Sequence, residues 1–178
     1  MNILAISGST RQKSTNTAFL AALRDTAPEG MTISVFSELS TLPVFSPDFE
    51  QEKTPAVVKA FIQTIAEADG LIISSPEYAR AIPGGLKNAI DWLVSGEEIA
   101  TKPVAIVHAS HRGDDMLVSL RLVLGTVTNQ FGEQIFLRFP LMSKTPEEVR
   151  SFLTRDENTL KSSRFLDGFQ TFIERSSS

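Results

Sequence analysis

Five short apolar runs alternate along this chain with segments of helical periodicity, and this alternation limits the fold more than any other feature. Apolar residues are contiguous in three of the runs, at Ile3–Ile6, Leu71–Ile73 and Val104–Val107. Contiguous apolar strands are typical of parallel sheets whose two faces are both covered by helices. The runs span Asn2–Ser7, Met31–Phe36, Gly70–Ser75, Pro103–Ala109 and Gln134–Phe139. The sequence therefore predicts an α/β protein with a five-stranded parallel sheet.

The segments between the runs carry helix signals. Four helices are predicted from periodicity and cap residues: Thr15 to about Ala27, a second that starts at an N-cap on Thr54, Pro83–Val94 with Gly96 as its C-cap, and a fourth from Asp114 or Asp115 to about Gln130. Capping boxes at Thr145 and Thr154 predict two more helices near the end of the chain. Regular alternation of strands and helices implies right-handed crossovers, and five strands favour the flavodoxin-like order 2-1-3-4-5. We expect one domain over residues 1–178, a flavodoxin-like three-layer sandwich with helices on both faces of the sheet.

The composition excludes several kinds of chemistry. The 178 residues contain no cysteine, which rules out disulfides, cysteine-bound metals, iron–sulfur clusters and thiolate catalysis, so that any redox reaction would belong to a bound cofactor. The net charge of −4 gives no electrostatic footprint for nucleic acid, and no basic cluster adjoins an apolar segment. The first apolar run is too short for a signal-peptide core, and no run approaches the roughly 20 residues of a membrane span. A cytoplasmic protein is therefore expected.

The loop after the first strand has the residue types of a phosphate site. Gly8 permits a tight turn, and the hydroxyl and amide groups of Ser9, Thr10, Ser14, Thr15 and Asn16 follow it together with the cation of Arg11. The next helix begins near Thr15, so its free N–H groups face the same position. The loop matches neither the Walker A pattern nor the three-glycine dinucleotide pattern, and a terminal monophosphate suits it better. A simple polar turn with an N-cap is the alternative.

The loop after the third strand is predicted to hold a planar ring. In the order 2-1-3-4-5, the first and third strands flank the switch point, where such sheets bind ligands. Pro76, Glu77 and Tyr78 would place backbone polar groups and one aromatic ring there. A phosphate site beside a ring site indicates FMN. Loop packing is the alternative role for Tyr78, and we expect Glu77 to support the loop rather than to take part in catalysis.

The loop after the fourth strand would lie beside the ring. Ser110 and the local backbone are the expected contacts with its pyrimidine edge. His108 and His111 lack a carboxylate partner and make a poor metal site, so no metal is predicted. Arg80 and Arg112 flank the predicted site, where either one could attract the extra phosphate of NADPH or remain a solvated surface arginine.

These residues closely resemble the NADPH-dependent FMN reductase family of flavodoxin-like proteins, which includes flavin, quinone, azo-dye and chromate reductases. The resemblance runs from Ile3 to about Phe139. It is strongest in Gly8-Ser9-Thr10-Arg11 with Ser14 and Asn16, in Pro76-Glu77-Tyr78, and in Ile82-Pro83-Gly84 with Leu86-Lys87-Asn88-Ala89-Ile90-Asp91-Trp92.

The resemblance implies non-covalent FMN, with NADPH or NADH as co-substrate and a flavin, quinone or similar small acceptor reduced by a ping-pong mechanism. FMN itself would carry the chemistry, with no catalytic side chain and with Tyr78, Arg80 and Ser110 as positioning candidates. The phosphate would contact Ser9, Arg11, Ser14, Thr15 and Asn16, and the ring would lie against Pro76, Glu77, Tyr78 and Ser110. The family also implies a homodimer or homotetramer formed through the helix 83–95 region, where Trp92 is a candidate for either core packing or subunit contact.

Two positions depart from the family pattern. Many members have Asn where this chain has Ala79, and many have a Ser-x-Gly-x-x-Gly-Gly loop where this chain has Ser110-His111-Arg112-Gly113-Asp114-Asp115. The second change makes the third loop bulkier and charged, which would alter substrate access.

Two other functions fit the same fold. A one-electron carrier of the flavodoxin type is usually strongly acidic around the flavin and covers both ring faces with aromatic residues. This chain has a mild net charge, and its second and third loops offer only Tyr78 and no Trp, which favours the enzyme. A flavin-binding regulatory protein without turnover is the remaining alternative.

Overall fold

The computed structural model describes residues 1–176, which form a parallel sheet of five strands in the order β2-β1-β3-β4-β5. The strands are β1 Asn2–Ser7, β2 Thr32–Phe36, β3 Gly70–Ser74, β4 Val104–His108 and β5 Phe131–Arg138. The helices are α1 Thr15–Arg24, α2 Ala56–Glu67, α3 Gly84–Asp91, α4 Asp114–Val127, α5 Pro146–Leu153 and α6 Asp156–Ser176. The flavodoxin-like order predicted from the sequence is confirmed.

Helices cover both faces of the sheet, because side chains along a strand point alternately to opposite faces. In β1, Leu4 and Ile6 join a hydrophobic cluster with α2, α3 and α4. Ile3 and Ala5 join a second cluster with α1, α5 and α6. The sheet is therefore the middle of three layers, with a hydrophobic core on each side.

Burial along the strands follows their position in the sheet. Every residue of β3 and β4 is buried, as contiguous apolar runs predict for inner strands. β2 alternates between buried and exposed residues at one edge of the sheet, as its sequence pattern indicates. Within residues 1–176, no helix has the combination of length and apolar character that crossing a membrane requires.

Several predicted helix ends are wrong by a few residues. The helix expected over Pro83–Val94 ends at Asp91 with Trp92 as its C-cap, so Gly96 has no capping role. Beyond Asp91 the chain continues in tighter turns, in which the N–H groups of Leu93, Val94 and Gly96 bond the carbonyls three positions back, as Val94 does with Asp91 at 3.3 Å. The apolar sequence pattern therefore extends beyond the last residue of the α-helix. α1 likewise ends at Arg24 and α4 at Val127.

Two predicted N-caps and one strand end are also corrected. Pro55, not Thr54, precedes α2, and Gly113, not an aspartate, precedes α4 with a left-handed φ of 99°. Asp114 and Asp115 instead occupy the first turn of α4, where carboxylates complement the helix dipole. β5 begins at Phe131 rather than Gln134, because an irregular pairing with β4 precedes the regular register at Phe136.

Trp92 belongs to the hydrophobic core. Only 4% of its surface is exposed, its indole N–H donates to the Pro43 carbonyl at 2.8 Å, and its ring meets Phe45 edge-on at 5.1 Å. Of the two roles predicted for this residue, the structure supports core packing.

Candidate active site

The switch point between β1 and β3 opens into a cleft of about 800 Å³, a volume typical of small-molecule sites. The loops after β1, β3, β4 and β5 form its walls. All the residues predicted to contact a cofactor line the cleft: Ser9, Arg11, Ser14, Thr15, Asn16, Pro76, Glu77, Tyr78 and Ser110. The other lining residues are Lys13, Ser75, His108, Ala109, Arg112, Gly113, Met142, Ser143, Lys144, Thr145, Pro146 and Glu147.

The first loop lies close against the neighbouring strand and helix because residue 8 has no side chain. The Gly8 N–H donates to the Ser74 carbonyl at 2.7 Å. A Cβ atom at this position would lie 2.9 Å from Leu86 Cδ2 and 3.2 Å from the Ser74 carbonyl oxygen. A larger residue would require Leu86 or the loop backbone to shift, so the missing side chain at Gly8 permits this close approach.

Three polar side chains of this loop already have partners for their acceptor atoms. Ser9 Oγ accepts the N–H of Arg11, and Ser14 Oγ accepts the N–H of Thr17 as the N-cap of α1, each at 3.3 Å. Asn16 Oδ1 accepts the Ser74 hydroxyl at 2.9 Å. Each side chain is thereby left to donate, through its hydroxyl hydrogen or its amide nitrogen. Donors grouped at a helix N-terminus are the chemistry that an anion requires.

The charged residues of the first loop also favour an anion. Residues 8–16 contain Arg11 and Lys13 and no acidic residue. Glu147 lies near Lys13, and its pKa is below its usual value because its own backbone N–H and the Thr145 hydroxyl bond it, with smaller effects from Lys13 and Arg150. This end of the cleft is therefore suited to a phosphate.

The second loop presents one aromatic ring at the mouth of the cleft. Tyr78 is 45% exposed and forms a tight turn with Ala81, in which each backbone N–H donates to the other's carbonyl at 3.2 and 3.0 Å. Both residues between them have left-handed backbones, with φ of 51° at Ala79 and 62° at Arg80. Glu77 supports the loop as expected, since its Oε2 accepts the N–H of Met116 at 3.1 Å.

The third loop is held by several polar contacts. Ser110 Oγ accepts the N–H of Arg112 at 3.0 Å, which leaves its hydroxyl hydrogen to donate as in Ser9 and Ser14. The Ser110 carbonyl accepts the Arg138 Nε–H at 2.7 Å, and the Arg138 guanidinium also pairs with Asp114 at 2.8 Å. The loop is thus tied to β5 through Arg138, which bonds both the Ser110 carbonyl and the Asp114 carboxylate.

His108 lies buried under the third loop. Its Nε2 is 2.5 Å from the Arg112 carbonyl, so this nitrogen carries the hydrogen and donates. Burial holds the pKa of the imidazole below its ordinary value, with the nearby Arg138 cation acting in the same direction. His108 is therefore a neutral structural group of this loop. His111 is exposed, and among the described residues no cluster of His, Asp and Glu could hold a metal ion.

Arg80, a predicted positioning residue, lies outside the cleft lining. Its side chain is 81% exposed and pairs with Asp115 at 2.6 Å, which raises the pKa of Arg80 and lowers that of Asp115. This ion pair ties the second loop to the start of α4.

The sequence reasoning did not identify the fourth wall of the cleft, which consists of Met142–Glu147. The sequence did contain a signal for this wall, because the loop after the last strand begins at the same sheet edge as the other three loops. The capping box that starts α5 is confirmed: Glu148 and Thr145 bond each other's backbone N–H groups. It fixes the end of this loop beside the cleft.

Comparison with known proteins assigns the family. Residues 1–135 match the NADPH-dependent FMN reductase family. A quinone reductase of Escherichia coli K12 is 37% identical over 113 residues, which are 62% of this chain and 60% of that protein. A 2-hydroxy-1,4-benzoquinone reductase of a Burkholderia species is 40% identical over 113 residues, 62% of this chain and 61% of that protein. The alignments thus span about three fifths of these curated relatives.

Solved structures agree on the fold. The flavoenzyme NAD(P)H:(acceptor) oxidoreductase from Paracoccus denitrificans superposes with a TM-score of 0.70 at 21% identity, over 99% of this chain and 97% of that one. The family match covers most of the chain and includes three of the four loops that line the cleft. The chain belongs to the NADPH-dependent FMN reductase family.

Proposed function

We propose that this protein is an NAD(P)H oxidoreductase that holds FMN in the cleft and passes hydride to a flavin, a quinone or a similar small acceptor by a ping-pong mechanism. The observation that carries the proposal is the set of preformed donors in the first loop, directly beside the aromatic rim of the second. When bound, FMN supplies the hydride-accepting and hydride-donating chemistry, and the chain binds and orients the reactants.

The residues present fit this cofactor. The hydroxyls of Ser9 and Ser14 and the amide nitrogen of Asn16 have their acceptor partners within the protein and can donate to phosphate oxygens. Arg11 adds a cation that can fork onto two oxygens, and Thr15 begins α1 with its free N–H groups. These five residues would hold the phosphate.

The ring would lie between the second and third loops, against Pro76, Glu77, Tyr78 and Ser110. The Ser110 hydroxyl can donate to a carbonyl of the ring because its own oxygen already accepts the N–H of Arg112. Tyr78 lies at the mouth of the cleft and can cover the ring edge. No side-chain acid or base is assigned, since hydride transfer depends on distance and orientation.

The assembly is part of the proposal. We place the whole chain in one domain that forms a homodimer or homotetramer through the helix 83–95 region. On this segment Lys87 and Asp91 form an exposed ion pair, and Val94 is 59% exposed. Light scattering after gel filtration measures the mass of the assembly. Substitutions of Val94 and of Leu160, an exposed residue remote from this segment, are compared by this method, and an equal effect of the two on the mass would contradict this interface. The cytoplasmic location expected from the sequence stays a prediction.

An anaerobic titration of the FMN-saturated protein with NADPH tests the function. Rapid bleaching of the oxidised flavin band, followed by its return on addition of a quinone, is the expected result. A protein that holds FMN without bleaching would be a carrier or a sensor. A protein that holds no FMN would overturn the cofactor assignment.

The order of the two half-reactions needs a separate measurement. A ping-pong mechanism predicts parallel lines in double-reciprocal plots when the quinone concentration is varied at several fixed NADPH concentrations. Intersecting lines would show that both substrates occupy the protein together, and would contradict the ping-pong mechanism.

A further inference from the structure

Among residues 1–176, four cationic side chains line the cleft: Arg11, Lys13, Lys144 and Arg112. Arg11 belongs to the proposed phosphate loop. Lys13 lies near the Glu147 carboxylate, and the ammonium of Lys144 lies 5.6 Å from the centre of the Phe152 ring. Each of these three cations therefore has a role or a partner, and Arg112 stands apart from them.

The position of Arg112 is set by the backbone around it. Its N–H donates to Ser110 Oγ at 3.0 Å, and its carbonyl accepts the His108 imidazole at 2.5 Å. The next residue, Gly113, has a left-handed φ of 99°. The backbone at position 112 is thus bonded on both sides, although the side chain itself is exposed.

Neighbouring carboxylates do not neutralise this cation. Asp114 pairs with Arg138 at 2.8 Å and Asp115 pairs with Arg80 at 2.6 Å. Within the part of the chain that the structure describes, no carboxylate oxygen lies within 4 Å of the Arg112 guanidinium. Arg80 and Arg138, which lie outside the cleft lining, thus pair with the neighbouring aspartates. Arg112, which lines the cleft, has no such ion pair among the described residues and can bind an anion.

Arg112 also lies at the ring end of the cleft rather than at the phosphate end. A Cβ atom placed on Gly113 would be 3.6 Å from Glu77 Cβ, so the backbone after Arg112 packs against the second loop. The phosphate loop belongs to a different wall. A cation here lines the part of the cleft that we propose for the ring.

We infer that Arg112 binds an anionic group on the molecules that exchange hydride at the ring, and so sets which of them the protein prefers. The inference rests on the proposed function. A guanidinium recognises phosphate, sulfonate and carboxylate groups through paired hydrogen bonds. Two anions could set such a preference, the extra phosphate that distinguishes NADPH from NADH and an anionic substituent on the acceptor; the pyrophosphate that NADPH and NADH share could not.

Redox-inert probes separate these sources. The FMN-loaded wild type and R112Q are titrated, in phosphate-free buffer at low salt, with tetrahydro-NADPH and tetrahydro-NADH and then with naphthalene-2-sulfonate and neutral 2-naphthol. Perturbation of the flavin spectrum gives each dissociation constant. We expect R112Q to lower the preference for the more negatively charged member of at least one pair by about tenfold or more, the usual effect of losing a charged hydrogen bond. R112K, which keeps the charge without the fork, should recover part of it.

The control is R175Q, which makes the same change of charge at an exposed arginine in the last turn of α6. It should leave both preferences unchanged. A loss confined to the dinucleotide pair assigns the anion to the NADPH phosphate, and a loss confined to the naphthalene pair assigns it to the acceptor. Unchanged preferences in R112Q would overturn the inference, as would a loss of FMN itself from that variant.

The same titrations distinguish failure of the inference from failure of the proposed function. A wild type that binds the inert probes through Arg112 but is not bleached by NADPH would keep the anion site and overturn the proposed turnover. A wild type that holds no FMN would overturn both.

Discussion

Ala79 and Arg80 are two side-chain-bearing residues in a backbone region that favours glycine, with φ of 51° and 62°. Left-handed backbone costs roughly 1–2 kcal/mol for an ordinary residue, whereas Asn tolerates it through its short polar side chain. The Asn that many family members have at position 79 therefore has a conformational reason independent of any contact with a ring. Strain of this kind is common beside functional sites.

Replacing Ala79 by Asn should raise the free energy of unfolding by roughly 0.5–1 kcal/mol, because Asn relieves the left-handed strain in the turn. Urea unfolding of the FMN-free protein measures the change. A81N is the matched control, because Ala81 lies in the same turn and is not among the residues with positive φ. Equal effects of A79N and A81N would show that the gain comes from the polar side chain and not from the backbone.

Asn16 allows a test of the phosphate site that spares the fold. In N16D, a carboxylate oxygen can still accept the Ser74 hydroxyl, as Oδ1 does at 2.9 Å. The amide donor, however, is replaced by a negative charge, and we expect FMN to bind at least about tenfold more weakly.

Riboflavin, which lacks the phosphate, is the control ligand for N16D. Fluorescence titration should find its affinity nearly unchanged. An equal loss of affinity for FMN and riboflavin would place Asn16 against the ring system rather than the phosphate.

At the scale of elements, the loop after β4 is held in place over the buried, neutral imidazole of His108. Its charged neighbours are Arg138 and Asp114, and its backbone partner is the Arg112 carbonyl. Because burial lowers the pKa of His108 in the folded state, the unfolded chain binds this proton more readily. The contribution of the neutral His108 imidazole to the free energy of unfolding is complete above the unfolded pKa of about 6.5. It is lost as the pH falls from there towards the folded pKa.

We therefore expect the free energy of unfolding to fall as the pH is lowered from about 7 through the ordinary histidine pKa of about 6.5, by at most about 1.4 kcal/mol per pH unit from this group. H108Q cannot titrate and should flatten the dependence in this range. H111Q removes an exposed histidine outside this buried site and should keep the wild-type slope. A slope that survives in H108Q would assign the effect to the carboxylates.

The elements themselves were largely predictable from the sequence. Contiguous apolar runs identified the inner strands, since only a sheet covered on both faces buries such runs. The helix ends were less predictable, because the pattern at Leu93 and Val94 continues through turns that bury Leu93 without α-helical hydrogen bonds. The cap at Gly113 was missed because a left-handed glycine and an acidic N-cap both suit the sequence at that point.

For the whole molecule, strand order and switch point followed from the alternation of strands and helices together with the strand count. The predicted contact residues came together because their loops end at one sheet edge. The role of Arg80 did not follow, since its partner Asp115 lies 35 residues away and only the folded chain brings them together. The fourth wall at Met142–Glu147 likewise depends on how α5 packs beside α1.

The shared sheet predicts cooperative unfolding. Trp92, the only tryptophan of the chain, lies in the core formed with α2, α3 and α4, whereas far-UV circular dichroism reports all helices. Since β1 contributes side chains to both cores, the urea transitions of the FMN-free protein should coincide by the two methods. A fluorescence transition at lower urea would show that the α2–α4 layer unfolds separately and would contradict a single domain.

The preformed donors of the first loop have a kinetic consequence. Ser9, Ser14 and Asn16 are already oriented by their own neighbours, so capturing the phosphate requires little ordering of the chain. The observed association rate should then rise in proportion to the FMN concentration, without the plateau that a slow loop closure would impose. Occupancy of the cleft would follow the free FMN concentration around the protein, and newly made chains would load as soon as the sheet is complete.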